Sequence, residues 1–365
     1  MKEHIKVIIS GGGTGGHIYP AVAIAQEIQL QYPNADILFV GAKDKMEMEK
    51  VPKAGYKIEG LWISGLQRKV TISNLLFPIK LISSIITSHK IINTFKPDIA
   101  IGVGGFASGP LLYAAAQRKI PTMIHEQNSY AGITNKWLSK KANKICVAYD
   151  GMEKFFEQNK IVKTGNPIRT DILDLSNKKE KGYQHFNFDK DKKTILIIGG
   201  SLGARTINNS IKKDIHKIDQ NQIQVLWQTG KNYFEELKSL NSEAIKVTDF
   251  IYEMDLAYSI ADVVISRAGA SSISEIAVAK KPAILVPSPN VSEDHQTKNA
   301  LALVNKQAAI LVKDSDSEEQ LVDRVLELIN NESLQNNLIK NLEPFAIRDS
   351  RKRILEVVKD LIKTS

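Results

Sequence analysis

The sequence predicts an α/β protein made of two similar halves, each a parallel sheet covered by helices on both faces. Three observations carry this. Short apolar runs of strand length alternate with helical patterns along nearly all of the 365 residues. The runs are apolar at successive positions rather than at alternate ones, as strands buried on both faces must be. Finally, the opening pattern "KVIISGGGTGG" is restated far along the chain by "TILIIGGSLGAR", which sets Gly12, Gly13 and Thr14 opposite Gly199, Gly200 and Ser201. Two Rossmann-like halves follow, each beginning with a glycine loop between a strand and a helix.

In chain order the predicted strands are Lys6–Ser10, Ile37–Gly41, Ile99–Val103, Thr122–His125 and Lys144–Ala148 in the first half. In the second they are Thr194–Ile198, Gln224–Gln228, Ile245–Thr248, Val263–Ser266, Ala283–Val286 and Ala309–Val312. The first glycine loop leads into an amphipathic helix over Ala21–Leu30. The polar run 176–193, which has no periodicity, and the Gly and Pro of Thr164–Pro167 mark the passage between halves. Asp349–Ser365 reads as an amphipathic helix that could pack on either half.

Length and composition suit two soluble domains with cores of their own: 43% apolar, 24% charged, no low-complexity tract. One cysteine, Cys146, excludes a disulfide within the chain and a cysteine-based zinc site. Met1–Ser10 is a charged cluster running straight into a strand, so no secretory signal is expected. A net charge of +9 suits phosphorylated ligands or anionic lipid, or else a lysine-rich solvated surface. Without aromatic-interleaved basic motifs or a helix-turn-helix pattern, nucleic acid is not an expected partner. The two D-x-D spacings, 189–191 and 314–316, read as solvated turns, and no metal cluster is visible.

Five glycines in Gly11–Gly16 mark backbone that turns sharply or is closely approached. At the mouth of a helix such a loop can receive an anion on outward-facing N–H groups. Gly11, Gly13 and Gly16 with Asp44 after the next strand also match the dinucleotide fingerprint loosely. His17 and the repeated loop disfavour nicotinamide chemistry, and no Gly-Lys-Ser/Thr makes a P-loop. "GVGGFASGP" (102–110) ends one strand and opens a helix. "MIHEQN" (123–128) puts His125, Glu126, Gln127 and Asn128 at a strand's carboxyl end, where ligands bind in open α/β sheets. Arg169 in "GNPIR" could reach a phosphate, or could be a surface arginine of a linker. Ser272 and Glu275 form a capping box, or else Glu275 is a carboxylate able to hold two ribose hydroxyls. The Trp62–Lys96 stretch is apolar with basic residues interspersed and too interrupted to span a bilayer, so it is either a core helix or a membrane-surface patch.

Together "GGTGGHIYPA", "GVGGFASGP", "HEQN", "GNPIR", "GGSLGAR", "SRAGASSISE" and "DHQTKNA" stand in the order and spacing of the MurG family, which the chain resembles from about Lys6 to about Arg353. That family consists of bacterial transferases that move N-acetylglucosamine from UDP-GlcNAc to lipid I, undecaprenyl-pyrophosphoryl-MurNAc-pentapeptide, giving lipid II for peptidoglycan. The resemblance implies a GT-B fold, two Rossmann-like domains facing a cleft: 1–165 with the helix 346–365 on the acceptor and membrane side, and 166–345 binding UDP-GlcNAc. It implies inverting transfer to the C4 hydroxyl of MurNAc, with no cofactor and no metal. The implied donor contacts are Ser201 and Ala270, Ser271, Ser272, Ile273 and Ser274 at the diphosphate, Arg169 near the nucleotide, and backbone at Phe250–Ile251 on uracil. Glu275 would hold the ribose, and Gln296 and Asn128 the sugar. Thr14, Gly15 and Gly16 would approach a diphosphate. His17 is the first candidate for general base, or else it binds phosphate or orders the loop; Glu126 is the alternative base. Ile72, Leu75, Leu76, Phe77 and Ile79, with Lys69 and Lys80, would touch an anionic membrane, placing the enzyme peripherally on the cytoplasmic face of the cell membrane, within reach of a cell-wall synthesis complex.

Competing functions at this stage are a nicotinamide-dependent oxidoreductase, a non-catalytic nucleotide-sugar or membrane-binding module, and a related glycosyltransferase with another lipid or small-molecule acceptor.

Overall fold

The computed structural model describes residues 4–65, 75–200, 202–220 and 222–363. Lys69, Ile72 and Ser201 lie outside the described residues. The chain divides into two compact units, Met1–Ile168 with Asp349–Ser365, and Arg169–Arg348.

In the first unit seven parallel strands run in the order β3-β2-β1-β4-β5-β6-β7. They are β1 Lys6–Ser10, β2 Asp36–Ala42, β3 Lys57–Leu61, β4 Ile99–Gly102, β5 Thr122–Glu126, β6 Lys144–Val147 and β7 Ile161–Lys163. The helices between them are α1 Gly15–Gln31, α2 Glu47–Lys53, α3 Phe77–Phe95, α4 Ser108–Gln117 and α5 Ile133–Ser139. In the second unit six parallel strands run β10-β9-β8-β11-β12-β13. These are β8 Thr194–Ile198, β9 Gln224–Gln228, β10 Ile245–Thr248, β11 Val263–Ser266, β12 Ala283–Leu285 and β13 Ile310–Leu311. Its helices are α6 Lys179–Phe186, α7 Arg205–Gln220, α8 Phe234–Leu237, α9 Met254–Ile260, α10 Ala270–Val278, α11 His295–Val304, α12 Ser317–Asn330 and α13 Glu332–Leu342. The last helix, α14 Ser350–Lys363, belongs to the first unit.

The central strands are apolar throughout because helices cover both faces. Val7, Ile8 and Ile9 of β1 pack alternately into two separate cores, Ile8 on one face and Val7 with Ile9 on the other. Ile354, Leu355, Val358 and Leu361 of α14 join the core that holds Ile24 and Ile28 of α1. Burying such a side chain fully is worth about 1.5–3 kcal/mol, enough for one apolar stripe to decide where that helix docks.

In each unit the strand order reverses beside the first strand, between β1 and β4 and again between β8 and β11. Crossovers leave to opposite sides at such a point, so the two loops beyond it splay apart and open a crevice at the carboxyl edge. The glycine-bearing loops that follow β1, β4, β8 and β11 stand at these two reversals.

Several sequence expectations change. β3 and β7 were not predicted: both are edge strands, and Lys57, Glu59 and Lys163 break their apolar character. The first helix begins at Gly15 rather than Ala21 and carries Pro20 inside it, so glycine and proline hide its first turn from propensity. The polar run 176–193 contains α6, which packs on α9 so closely that a Cβ on Gly182 would meet Ile260 at 2.7 Å. Of the two D-x-D turns, 314–316 is not simply solvated: Asp314 accepts from Thr206 Oγ1 at 3.0 Å and pairs with Arg267.

Candidate active site

The first glycine loop is built around a buried acid that sequence reasoning missed. Glu47, in the first turn of α2, is 1% exposed. Its Oε2 accepts the Gly13 N–H at 2.8 Å and its Oε1 the Ala42 N–H at 3.0 Å. A Cβ on Gly12 would meet Glu47 Oε1 at 2.2 Å, and one on Gly41 would meet its Cγ at 2.5 Å. Glycine at both positions therefore makes room for a carboxylate. Asp44, the acid that the dinucleotide fingerprint singled out, is exposed instead. The signal that could have found Glu47 is its place just beyond the carboxyl end of β2, but five charged residues crowd positions 43–49 and none stands out.

His17 sits in the first turn of α1, three residues past the N-cap Thr14. Its Nδ1 lies 3.0 Å from Gly12 O and 3.4 Å from Thr14 Oγ1. A carbonyl oxygen can only accept, so Nδ1 carries the proton and the neutral ring keeps its lone pair on Nε2. The Cδ2–Nε2 edge packs over Gly104, where a Cβ would come within 2.8 Å of Nε2. Ser108 Oγ ties the two loops together by donating to Ser10 O at 3.0 Å and Gly104 O at 2.8 Å.

At the end of β5 His125, Glu126 and Gln127 are buried and Asn128 is half-buried, and Asn135 links their hydrogen bonds into one network. His125 donates from Nε2 to Gly165 O at 3.0 Å, and its Nδ1 accepts from Gln127 Nε2 at 2.9 Å. Burial holds its pKa down at about 4, so this ring stays neutral and structural. Glu126 is fully engaged: Oε1 accepts from the backbone and amide of Asn128 at 3.1 and 3.2 Å, and Oε2 from Gly132 N–H at 3.1 Å and Asn135 Nδ2 at 2.8 Å. It orders the 127–135 loop.

In the second unit the glycine loop rests on an amide. Gln228, the last residue of β9, donates from Nε2 to Gly200 O at 3.0 Å and accepts the Ile251 N–H at 3.0 Å. The Ile251 N–H, one of the backbone groups of Phe250–Ile251 expected to read uracil, is thus already satisfied. A polar residue closing the strand "QVLWQ", apolar at its three middle positions, was the readable sign of this role.

The helix α10 starts directly at Ala270 after Gly269, and no side chain caps it. The capping box of Ser272 and Glu275 is therefore absent, because both residues lie inside the helix. Ser271 and Ser272 stand in the first turn with Ala270, Ile273 and Ser274; the Ile273 N–H already donates to Gly269 O at 2.9 Å, and the helix dipole favours an anion at this end. Ser274 Oγ turns back to Ala270 O at 3.0 Å. Glu275 is half-buried beside Tyr258, whose hydroxyl donates to Oε2 at 3.5 Å. Burial raises the Glu275 pKa to about 7, with Arg169 pulling it down and Asp171 pushing it up. Arg169 is bound by Asp171, at 2.6 Å from NH2, and donates to Tyr252 O at 2.9 Å. Gln296 of α11 accepts the Ser288 N–H at 2.8 Å.

Just before α3 Leu75 is 80% exposed and Leu76 exposed, and along the helix Ile79 is 57% exposed, Ile82 and Ile86 are exposed and Phe77 is half-buried. Lys80 donates to Ser64 Oγ at 3.0 Å and lies over the Trp62 ring. Among the described residues no helix is long and apolar enough to cross a membrane, and no group of three or more His, Cys, Asp or Glu could hold a metal ion.

Residues 7–147 match the glycosyltransferase family 28 N-terminal domain and residues 194–354 the family's C-terminal domain. Two curated relatives carry the name UDP-N-acetylglucosamine--N-acetylmuramyl-(pentapeptide) pyrophosphoryl-undecaprenol N-acetylglucosamine transferase. The protein from Cytophaga hutchinsonii is 58% identical, covering 100% of this chain and 98% of its own. That from Flavobacterium psychrophilum is 53% identical, covering 99% of each. Among solved structures, Acinetobacter baumannii MurG superposes with a TM-score of 0.76 at 28% identity over 98% of this chain and 99% of that one. The calicheamicin glycosyltransferase CalG4 shares the fold, with a TM-score of 0.73 at 11% identity over 100% and 99%. The chain is a glycosyltransferase-fold protein of two parallel-sheet α/β units, and it belongs to the MurG family of glycosyltransferase family 28.

Proposed function

We propose that this protein transfers N-acetylglucosamine from UDP-N-acetylglucosamine to the C4 hydroxyl of the MurNAc unit of lipid I, forming lipid II. The observation that carries this is full-length identity of 58% to a relative named for that transfer. The reaction forms a bond from the C4 oxygen to the anomeric carbon, breaks the bond from that carbon to the β-phosphate oxygen, and inverts the centre. It must place two charges: the hydroxyl proton needs a base and the departing UDP needs donors.

The second unit supplies the donors. The start of α10, Ala270–Ser274, meets the diphosphate together with Ser201, and the positive end of the helix dipole stabilises the charge that develops there. Glu275 accepts the ribose hydroxyls, Arg169 stays near the nucleotide, Ile251 backs the uracil and Gln296 the sugar. The first unit supplies the acceptor side. His17 takes the C4 proton on Nε2, a step worth ~10²–10⁴-fold, while Thr14, Gly15 and Gly16 line its approach. Glu126 has both oxygens committed to its own loop, so His17 is the better base.

The exposed Leu75, Leu76 and Ile79, with Phe77 and Lys80, form the contact that lets a peripheral enzyme reach a lipid-anchored acceptor at the cytoplasmic leaflet. Neighbouring cell-wall enzymes would meet the protein there. Incubating purified protein with radiolabelled UDP-GlcNAc and a lipid I analogue tests the reading. A labelled lipid II analogue is expected from the intact chain and strongly reduced product from Glu275→Ala; absence of product from the intact chain would overturn it.

A further inference from the structure

The chemistry proposed for His17 leaves Glu47 without a part, although it is a buried carboxylate in the middle of the acceptor-side loop. Among the described residues it has no ion-pair partner within 4 Å. Its two bonds go to backbone N–H groups. The one to Gly13 has a consequence, because Gly13 N–H and Gly12 C=O are the two ends of one peptide unit. That unit gives its proton end to Glu47 Oε2 at 2.8 Å and takes the His17 Nδ1 proton on its oxygen end at 3.0 Å.

We infer that Glu47 is a positioning residue for His17, acting through the Gly12–Gly13 peptide to fix its tautomer and raise its basicity. A carboxylate bonded to an amide N–H polarises the amide and makes its oxygen a stronger acceptor. The stronger acceptor holds the Nδ1 proton, keeps the lone pair on Nε2 and stabilises the imidazolium formed when Nε2 takes a proton. The arrangement does what an aspartate does by touching a catalytic imidazole directly, with one peptide unit interposed. Three glycines are needed to build it. A side chain at Gly12 would displace the carboxylate, one at Gly104 would strike the ring, and one at Gly105 would meet Gly12 O at 2.5 Å. The Gly13 φ of +83° sets the turn that aims this N–H inward.

Of the elements against the ring, residues 103–107 supply Val, Gly, Gly, Phe and Ala, none titratable. The first turns of α1 add Thr14 and Tyr19, and α2 adds Glu47. Glu47 is thus the acid among them that is bonded to this peptide.

The inference rests on His17 being the acceptor-side base, and the tests separate the two ideas. In protein labelled with ¹⁵N-histidine, the neutral His17 ring is expected to show the Nδ1–H tautomer, and a dominant Nε2–H form would overturn the inference without any variant. In Glu47→Gln, checked for folding by its melting curve, the His17 titration is expected to move down by roughly half a pH unit. The acid limb of the kcat profile should move with it, kcat should fall roughly tenfold and the KM for UDP-GlcNAc should hold. An unchanged His17 titration in folded Glu47→Gln would overturn the inference even if activity drops, since that drop would be structural. If instead the titration moves while His17→Ala keeps full activity, the coupling stands and the base assignment falls.

Discussion

The two glycine loops look like copies in sequence, and the structure gives them opposite undersides. Beneath the first lies a carboxylate, Glu47, which takes an N–H from the loop at Gly13. Beneath the second lies an amide, Gln228, which gives an N–H to the loop at Gly200 O. A loop that must greet a diphosphate gains nothing from a buried negative charge below it. A loop that must present an imidazole as a base gains from that charge. On the proposed reading the same strand-loop-helix unit serves an anion in one half of the chain and a proton in the other. The glycines of the first loop answer to Glu47 and His17 at least as much as to any phosphate.

Breaking the comparison at its strongest point means removing the imidazole. His17→Ala is expected to lower kcat by ~10²–10⁴-fold with little change in the KM for UDP-GlcNAc, read by initial rates at saturating acceptor. A raised KM with unchanged kcat would instead make His17 a ligand-binding group. Second in size, converting the amide to an acid should spoil the donor loop. Gln228→Glu cannot donate to Gly200 O and adds charge near the diphosphate, so UDP should bind on the order of tenfold more weakly, by calorimetry.

Glu275 sharpens the contrast through pH. Its carboxyl is raised to about 7 by burial, and ribose hydroxyls bind best to the ionised form. UDP affinity should therefore rise as pH goes from 6 to 8 and flatten above, and Glu275→Gln should lose that slope. The same shift bears on folding with its own sign. A carboxyl raised from 4.5 to about 7 in the fold favours the folded state most below pH 4.5, and this contribution is lost as pH rises toward 7. Smallest in effect on chemistry, Leu75→Asp with Ile79→Asp should leave turnover of a water-soluble acceptor within about twofold while reducing flotation with anionic vesicles. Unchanged flotation would remove the membrane contact.

Much of the architecture was legible because buried parallel strands write themselves as apolar runs. Thr194–Ile198 and Gln224–Gln228 fall where the sequence puts them. The edge strands Lys57–Leu61 and Ile161–Lys163 were illegible because an edge needs fewer apolar residues and tolerates lysine. At the site, motifs named the loops but not their supports. His17, Glu275 and Arg169 were visible as polar residues within or beside the glycine- and proline-bearing motifs. Glu47 was not, because its role is fixed by register between α2 and the loop, thirty-four positions apart in sequence. The Ser272–Glu275 spacing misled for a related reason. A capping box is defined by where a helix begins, and α10 begins two residues earlier, at Ala270.

Calorimetric titration of UDP into the intact protein, Glu47→Gln and Gln228→Glu in one buffer compares the two undersides most directly. Donor affinity is expected to be the same in Glu47→Gln as in the intact protein and on the order of tenfold weaker in Gln228→Glu. Weaker UDP binding in Glu47→Gln with undisturbed binding in Gln228→Glu would place the nucleotide on the first loop and contradict the division of labour.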